Sequence, residues 1–596
     1  MTPARTGSPD SLRLALGSAR LRIGLAFVLV LLMILGVRLF QLQALDLNGM
    51  AQAGLSKRLT TTVVQPVRGS IVDTNGKYFA RSVERYDIVV DQRLSAVAEF
   101  DRQAPDSDDR ERDVPMDQGF AELAAVVGID AETLKSSIMG DKSFNYVARS
   151  VTPDVKTRAL AVGIPGVYAD KTSVRTYPAG PVAGSVIGYV SGNGEPHEGL
   201  EYSLNDALEG APGSRTFEIG GDGIRIPYAT NEDIPATDGQ DVRLTIDQDL
   251  QWFAQQTIAS QVKDYDAEWG NIVVVEVKTG AIRAMAESTT PDPNDPGATP
   301  PEQRRPNSVS ASFEPGSTTK VVTMAAALEE GLIEPTSEFT LENRYTVGNQ
   351  TFKDAWEHGT EKRSAAGILA KSMNTGTVQI GQKLTKQERH DWLRKFGIGE
   401  PLGTGLNEEN QGLLPAADSW DDRQQYTVLF GQGLTQTAVH TAMVYQTIAN
   451  DGVRLQPRLI DAYIDPDGTE HEVPVAAGTE VVSEDTAATM RKMLETVTEK
   501  GSGGSGALEQ YRVGSKTGTA EAPGATGGYD GYTLSYAGIA PIEDPQYVVV
   551  VTLQRPQGDL YYLIPGESFQ KVMQQVLNSN NVPASTTKPD IYPVED

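Results

Sequence analysis

Between Arg22 and Arg38 the chain carries no charge: Ile23 to Val37 is an unbroken run of apolar residues and glycine. A bilayer span needs about 20 residues, so this core is short by itself. Arg22 and Arg38 can extend their charged ends to the interface, and Leu39, Phe40 and Leu42 lengthen the apolar face. The rivals are a cleaved signal sequence and a buried core helix. A signal sequence needs a small-residue cleavage site, and none of the Ala-x-Ala kind follows before Gln41. The run is therefore expected to be an uncleaved transmembrane anchor over residues 23–42. Residues 1–22 carry Arg5, Arg13, Arg20 and Arg22 against Asp10. The positive-inside rule makes them a cytoplasmic tail and sends the rest of the chain outside, as a single-pass membrane protein.

The outer part is too long for one core, since the whole chain has 596 residues; two or more domains are expected. A net charge of −27 excludes the basic face of a nucleic-acid binder. The chain has no cysteine, which removes disulfide frameworks and thiolate metal sites. Five histidines without an HExxH-like pair leave no pattern for a metal, and no cofactor is expected.

Residues 50–235 read as a separate domain, by composition a structural or interaction module. Thr60 to Gln65 is rich in β-formers, Pro66 to Gly76 reads as strand then Asn-Gly turn, and Glu84 to Gln92 as a strand. Phe100 to Pro115, dense in Asp and Arg, reads as a solvated loop. Phe120 to Ile138 and Pro153 to Val162 have helical patterns. Pro235 and Gly239 mark a composition shift before the strand Asp241 to Ile246 and the helix Gln248 to Lys263. Asn271 to Val277 and Ala281 to Ala286 read as a hairpin, and residues 287–310 as a loop. Residues 240–577 form the second expected domain. Residues 578–596, rich in Thr, Pro, Ser and Asp, are expected to be a disordered tail.

The loop leads to Phe313-Glu314-Pro315-Gly316-Ser317-Thr318-Thr319-Lys320 and an apolar run that stops at Gly331. It reads as a helix start. Ser317 and Lys320 then share a face in the first turn, where the helix dipole disfavours a cation and favours an oxyanion. That suits a nucleophilic serine whose neutral lysine takes its proton. Ser-x-x-Lys recurs at Ser260/Lys263 and Ser568/Lys571, so the pattern alone decides nothing.

Two further stretches follow in order. Ala365 to Lys371 looks helical and ends in Ser372-Met373-Asn374; Ser372 can relay protons and Asn374 can orient Lys320 or a substrate amide. Arg512 to Ala520 reads as a strand with Lys516-Thr517-Gly518-Thr519. Lys516 adds positive potential that keeps Lys320 neutral and draws in a carboxylate, which Thr517 and Thr519 hold. Gly518 lets another backbone approach. The backbone N–H groups of Ser317 and Thr519 are expected to form an oxyanion hole. Ser-x-Asn and Lys-Thr-Gly also have other copies, at Ser191/Asn193, Ser203/Asn205, Ser579/Asn581 and Lys278-Thr279-Gly280.

Only Ser317–Lys320, Ser372–Asn374 and Lys516–Gly518 come in sequence within one domain-sized segment. Together they resemble the active-site triplet of penicillin-interacting serine transpeptidases and β-lactamases. Arg68-Gly69, Ile71, Asp73 and Asn75-Gly76, then Arg175, Tyr177-Pro178 and Gly180, then Gly199-Leu200-Glu201-Tyr202, resemble class B penicillin-binding proteins. So do Phe430 to Thr437, Ala449-Asn450, Gly452 and Tyr536 to Pro541. Ser185 stands where relatives often carry histidine. The short tail and single anchor are most like the cell-division, FtsI-type branch; the elongation branch shares them.

The resemblance implies a multidomain α/β protein. A β-rich pedestal or dimerisation-type domain precedes a transpeptidase domain, an antiparallel sheet flanked by helices as in serine β-lactamases. It implies a monofunctional peptidoglycan D,D-transpeptidase that joins D-Ala-D-Ala donor stems to an amine acceptor through a Ser317 acyl-enzyme. β-Lactams are the implied inhibitors, and a membrane glycosyltransferase of the SEDS family with divisome proteins the implied partners. Phe430 to Thr437 would pack under the site, with Gly433 at a close backbone approach; core packing accounts for the stretch equally well. A D,D-carboxypeptidase or β-lactamase would use the same triplet but deliver the acyl group to water; no Glu-x-x-Leu-Asn of a class A β-lactamase lies between Asn374 and Lys516. A non-catalytic wall scaffold is the remaining class.

Overall fold

The computed structural model describes residues 10–43, 56, 58–103, 110–220, 226, 231–524, 527–558 and 563–595. The chain divides into two compact units, Met1–Gln65 with Pro212–Ala236, and Pro66–Ala211 with Thr237–Asp596. In the first, a helix runs Asp10–Gln43, starting well before Ile23, so much of the expected polar tail is helical. Within it, Arg20–Gln41 is long and apolar enough to cross a membrane. At 1.5 Å per residue it spans roughly 33 Å. The same unit holds a three-stranded antiparallel sheet with Gly213–Glu218 between Leu59–Val64 and Asn231–Ile234.

The second unit begins with the strand Ile71–Val72 and the long strand Tyr78–Val90, which pairs with Val167–Thr176 and Asn145–Val151. Helices Met116–Val127, Ala131–Ile138 and Pro153–Ala161 bury Phe120, Leu123, Leu134, Ile138 and Ala159 with Ile88 and Val90. The single helix expected over Phe120 to Ile138 is two. Gly128, at φ +73°, ends the first in the left-handed conformation, and the Asp130 carboxylate caps the second by accepting from the Thr133 N–H. The solvated loop expected over Phe100 to Pro115 is instead a hairpin of Glu99–Gln103 with Arg110–Pro115; residues 104–109 lie outside those described. Its charges are partnered: Arg102 is buried between Glu111 and Glu122, while Phe100 and Val114 join the core. A strand whose charges pair with one another has no apolar alternation to read.

Three of the motif stretches converge. Glu201, with its side chain fully buried, accepts from Arg68 Nε and Arg175 Nε, each at 2.7 Å. Arg68 Nη1 also donates to Asn205 at 2.7 Å, and Arg175 Nη1 to the Gly69 carbonyl at 2.6 Å. The strand Asp241–Leu244 runs parallel to Ile71–Val72 and antiparallel to Ile460–Ile464, so one sheet continues from the pedestal elements into those that follow residue 240.

A second, five-stranded antiparallel sheet has the order Ile282–Glu287, Trp269–Glu276, Tyr547–Gln554, Tyr529–Ala540, Gly514–Pro523. Alternate residues face opposite layers. Ile272, Val274, Val549 and Val551 pack with helices Gln248–Asp264 and Ile564–Ser579. Val273, Val275, Val548 and Val550 pack with helices Lys320–Glu329, Ala438–Ala449 and Glu484–Lys500. Covered on both faces, Tyr547–Gln554 reads as a continuous apolar run. The strand Gly514–Pro523 lies at the sheet edge.

The tail expected to be disordered from residue 578 is packed. Helix Ile564–Ser579 carries its first residues, and the chain then crosses the domain as an extended segment. Ser585 N–H donates to the Gln510 carbonyl, and Tyr592 N–H to Thr496 Oγ1 at 3.0 Å. Lys492 pairs with Asp590, Ser364 donates to the Pro593 carbonyl, and Arg363 pairs with Glu595. The polar composition misleads because the backbone of this segment is bonded by side chains of other elements rather than by a ladder of its own.

Candidate active site

Ser317 lies on a 3₁₀ turn, Gly316–Thr319, and the α-helix begins only at Lys320. The helix start expected at Ser317 is therefore displaced to Lys320, and Ser317 lies in the turn that feeds it. Gly316 has φ +56°, open to glycine at no steric cost, and its N–H donates to the Gly431 carbonyl at 3.0 Å. Tyr445 hydroxyl donates to the Thr318 carbonyl at 3.1 Å from helix Ala438–Ala449. The glycine that approaches the turn is Gly431, whose Cβ would collide with the Gly316 backbone; Gly433 instead donates its N–H to Glu314 Oε1 at 2.8 Å. The Ser317 side chain is half-buried and open to solvent.

Helix Ala365–Lys371 ends at Ser372, which adopts φ +60°, a left-handed conformation uncommon for serine. That turn aims its hydroxyl and carbonyl at Lys320. Lys320 Nζ donates to the Ser372 carbonyl at 2.6 Å and to Asn374 Oδ1 at 2.7 Å, and lies 3.4 Å from Ser372 Oγ. Asn374 opens the next helix, Asn374–Gly381. From the sheet edge, Lys516 Nζ donates to Ser372 Oγ at 2.8 Å and to the Thr517 carbonyl at 3.0 Å. Lys320, Ser372, Asn374 and Lys516 thus form one hydrogen-bonded cluster. No hydrogen bond joins Ser317 Oγ to Lys320 Nζ among the described residues. Such contacts commonly tighten only in the complex with substrate.

The edge strand is pressed against the nucleophile turn. A Cβ on Gly518 would lie 2.9 Å from the Pro315 carbonyl oxygen and collide with Ser535 Oγ. A Cβ on Gly316 would lie 2.8 Å from the Thr519 carbonyl oxygen, so the free edge of the strand faces the turn at Thr519. Thr517 is buried and donates its hydroxyl to Ser502 Oγ at 2.8 Å, whereas Thr519 is exposed.

Both lysines are fully buried. Burial lowers the Lys320 amine from its ordinary value to about 7, with the Asp354 carboxylate acting against it. Burial, and then the nearness of Lys320, lowers Lys516 as well. A buried amine that is neutral near pH 7 can accept a proton from a hydroxyl, which an ordinary surface lysine cannot. The cluster therefore has the parts for serine nucleophilic attack: a reachable hydroxyl, a neutral amine, and a second hydroxyl bonded to both amines.

The decoys sort by environment. Ser260 is exposed and bonded to Asp264, Ser568 is buried in helix Ile564–Ser579, and Lys278 pairs with Asp451 at a hairpin turn. Sequence reasoning missed Gly431, Ser502 and Asp354. Gly431 stood inside a quoted stretch; nothing local marks the other two.

Two family models match the chain. One describes the penicillin binding protein transpeptidase domain and matches residues 270–589. The other describes the penicillin-binding protein dimerisation domain and matches residues 63–244. The chain is 35% identical over 593 residues to the penicillin-binding protein PbpB of Mycolicibacterium smegmatis, covering 95% of this chain and 91% of that one. It is 30% identical over 564 residues to the peptidoglycan D,D-transpeptidase FtsI of Escherichia coli, covering 93% and 90%. Among solved structures it resembles a peptidoglycan synthetase from Bifidobacterium adolescentis with a TM-score of 0.77 and 33% identity, covering 90% and 100%. Penicillin-binding protein 3 of Mycobacterium tuberculosis, solved with aztreonam, gives 0.68 and 28% over 90% and 100%.

Proposed function

The chain belongs to the class B penicillin-binding proteins, and we propose that it is a peptidoglycan D,D-transpeptidase with Ser317 as its nucleophile. The observation that carries the assignment is the convergence of two buried lysines on one hydroxyl, Ser372 Oγ, beside the Ser317 turn.

In this reading neutral Lys320 accepts the Ser317 proton as Oγ attacks the carbonyl between the two D-Ala residues of a stem peptide. The C–N bond breaks as Ser372 passes its proton to the departing amine of the terminal D-Ala and takes the Ser317 proton from Lys320, which is neutral again. An amine from a neighbouring stem then attacks the ester, its proton returns through the same groups, and Ser317 is released. The N–H groups of Ser317 and Thr519 stabilise the oxyanion. Supporting this, the Thr519 carbonyl faces the turn, and the N–H and C=O of a strand residue point the same way. Lys516, Thr517 and Thr519 hold the substrate carboxylate across the Gly518 approach, and Asn374 orients Lys320.

The same reading assigns the chain to septal wall synthesis beside a SEDS-family membrane glycosyltransferase and divisome proteins, with its N-terminus in the cytoplasm. Near-full-length likeness to PbpB and FtsI supports the role, and the basic flank before Ile23 supports the orientation.

The test is intact mass of the detergent-solubilised full chain after exposure to a penicillin, with peptide mapping of the adduct. One drug per chain on the Ser317 peptide, released slowly, is expected; no adduct, or an adduct elsewhere, overturns the assignment. Supplied with a D-Ala-D-Ala donor and an amine acceptor, the enzyme is expected to release D-Ala and form the new amide. Release into water alone would identify a carboxypeptidase.

The acylation rate is also expected to depend on pH. Only the neutral form of Lys320 accepts the Ser317 proton, so the rate should rise with pH through a limb near 7. A stopped-flow profile with a chromogenic β-lactam reads this. A profile flat across that range would show that Lys320 is not the base.

A further inference from the structure

Asp354 is a buried carboxylate that no step above uses. It follows the strand Gln350–Lys353, and its side chain has no solvent exposure. Oδ1 accepts the backbone N–H of Thr375 at 3.0 Å, and Oδ2 accepts the Thr375 hydroxyl at 2.6 Å. Thr375, itself fully buried, is the second residue of helix Asn374–Gly381. A carboxylate there satisfies a free N–H of the first turn and complements the positive end of the helix dipole. One residue earlier, the Lys353 carbonyl accepts from Asn374 Nδ2 at 3.3 Å. Lys353 and Asp354 therefore grip Asn374 and Thr375 from one side, while Lys320 Nζ holds Asn374 Oδ1 at 2.7 Å from the other.

The Asp354 carboxylate also acts on Lys320, raising its proton affinity against the effect of burial. The charged groups that face Lys320 are Lys516, which shares the Ser372 hydroxyl with it from the sheet edge, and Asp354 from the loop; Tyr445, on helix Ala438–Ala449, bonds the Thr318 carbonyl and stays protonated through burial. Asp354 in turn meets His358, whose Nε2 lies 3.1 Å from Oδ2. His358 Nδ1 lies 2.9 Å from Glu361, which pairs with Arg363. Burial lowers the His358 proton affinity, but the Asp354 hydrogen bond, the Gly359 carbonyl and Glu361 outweigh it and raise it overall.

We infer that Asp354 is a positioning residue for acylation: it holds Asn374 against Lys320 through Thr375 and supplies buried negative charge to the Lys320–Ser372–Lys516 cluster. Without the charge, the Lys320 ammonium loses a stabilising partner and gives up its proton at lower pH. Without the hydrogen bonds, Asn374 and the amine it holds drift from attack geometry.

This rests on the transpeptidase reading, and the experiment separates the two. Acylation of the full chain by a chromogenic β-lactam is followed against pH in wild type, Asp354→Asn, Thr375→Val and Thr375→Ser. A wild type that takes no drug overturns the transpeptidase reading and this inference with it. With wild type active, Asp354→Asn is expected to be slower by about tenfold or more on the alkaline plateau. Its acid limb should move to lower pH. Thr375→Val, which keeps the charge, should be slower with its limb unmoved, and Thr375→Ser should restore the rate. An Asp354→Asn limb that stays in place, or a Thr375→Val rate equal to wild type, overturns the inference while leaving the nucleophile assignment standing. If Asp354→Asn does not fold, the Thr375 pair still decides: a slow Val with a wild-type-like Ser supports it, and equal rates sink it.

Discussion

Ser317→Ala takes up no β-lactam, on any timescale at which the wild type is saturated. In the proposed mechanism the Ser317 hydroxyl is the group that becomes the ester, so its loss removes the covalent route rather than slowing it; nucleophile knockouts in serine enzymes cost on the order of 10⁶ in rate. The substitution should leave the fold intact. Ser317 is half-buried, on a turn held by Gly316 to Gly431 and by Tyr445 to Thr318, none of which uses its side chain. The stability change should therefore stay within about 0.5 kcal/mol. Reversible binding should survive, because Lys516 and Thr517 remain in place on the edge strand. Intact mass for the adduct and a thermal melt for the fold check both halves. An adduct persisting in the variant would move the nucleophile elsewhere and dissolve the assignment of Lys320 and Ser372 with it.

Glu201→Ala should be among the most destabilising single changes outside the candidate active-site cluster. Its carboxylate is buried between two guanidinium groups, and Arg175 Nη2 already has no hydrogen-bond partner among the described residues. Removing one partner from a buried pair costs about 3–5 kcal/mol, because the remaining charge is left unpaired in a low dielectric. Here two arginines would be stranded. Glu201→Gln keeps the shape and an acceptor but not the charge, so it should fall between wild type and Ala. Urea unfolding of the three proteins, followed by fluorescence, gives the order. The fraction that stays folded should still be acylated at Ser317, since Glu201 touches none of the residues around Lys320 and Lys516. Equal midpoints for the three would show that the triad contributes nothing to stability.

Much of the candidate cluster was legible because several of its residues sit at local punctuation. Pro315-Gly316 marks the turn before Lys320, Ser372 closes a helix, and Gly518 is a glycine inside an edge strand. Glu201, Arg68 and Arg175 were legible only as pieces of separate motifs; that they meet on one carboxylate was not. The charged hairpin around Arg102 and the packed segment from Ser585 to Glu595 were misread for one reason. In both, polar groups find partners on other elements, so composition that ordinarily means solvent means contact instead.

Asp354 shows where local reading ends. It acts on Thr375 21 positions away, and nothing within a few residues of it says that its carboxylate is buried. The sequence by itself determined the apolar run near the N-terminus and which serine precedes which lysine at a turn, because periodicity and turn chemistry depend on near neighbours. The tertiary structure alone decided that Lys320 and Lys516 are both buried and share the Ser372 hydroxyl. Those lysines stand 52 and 144 positions from Ser372. Desolvation and charge coupling act through space, and only the packed sheet and helices bring such residues within their reach.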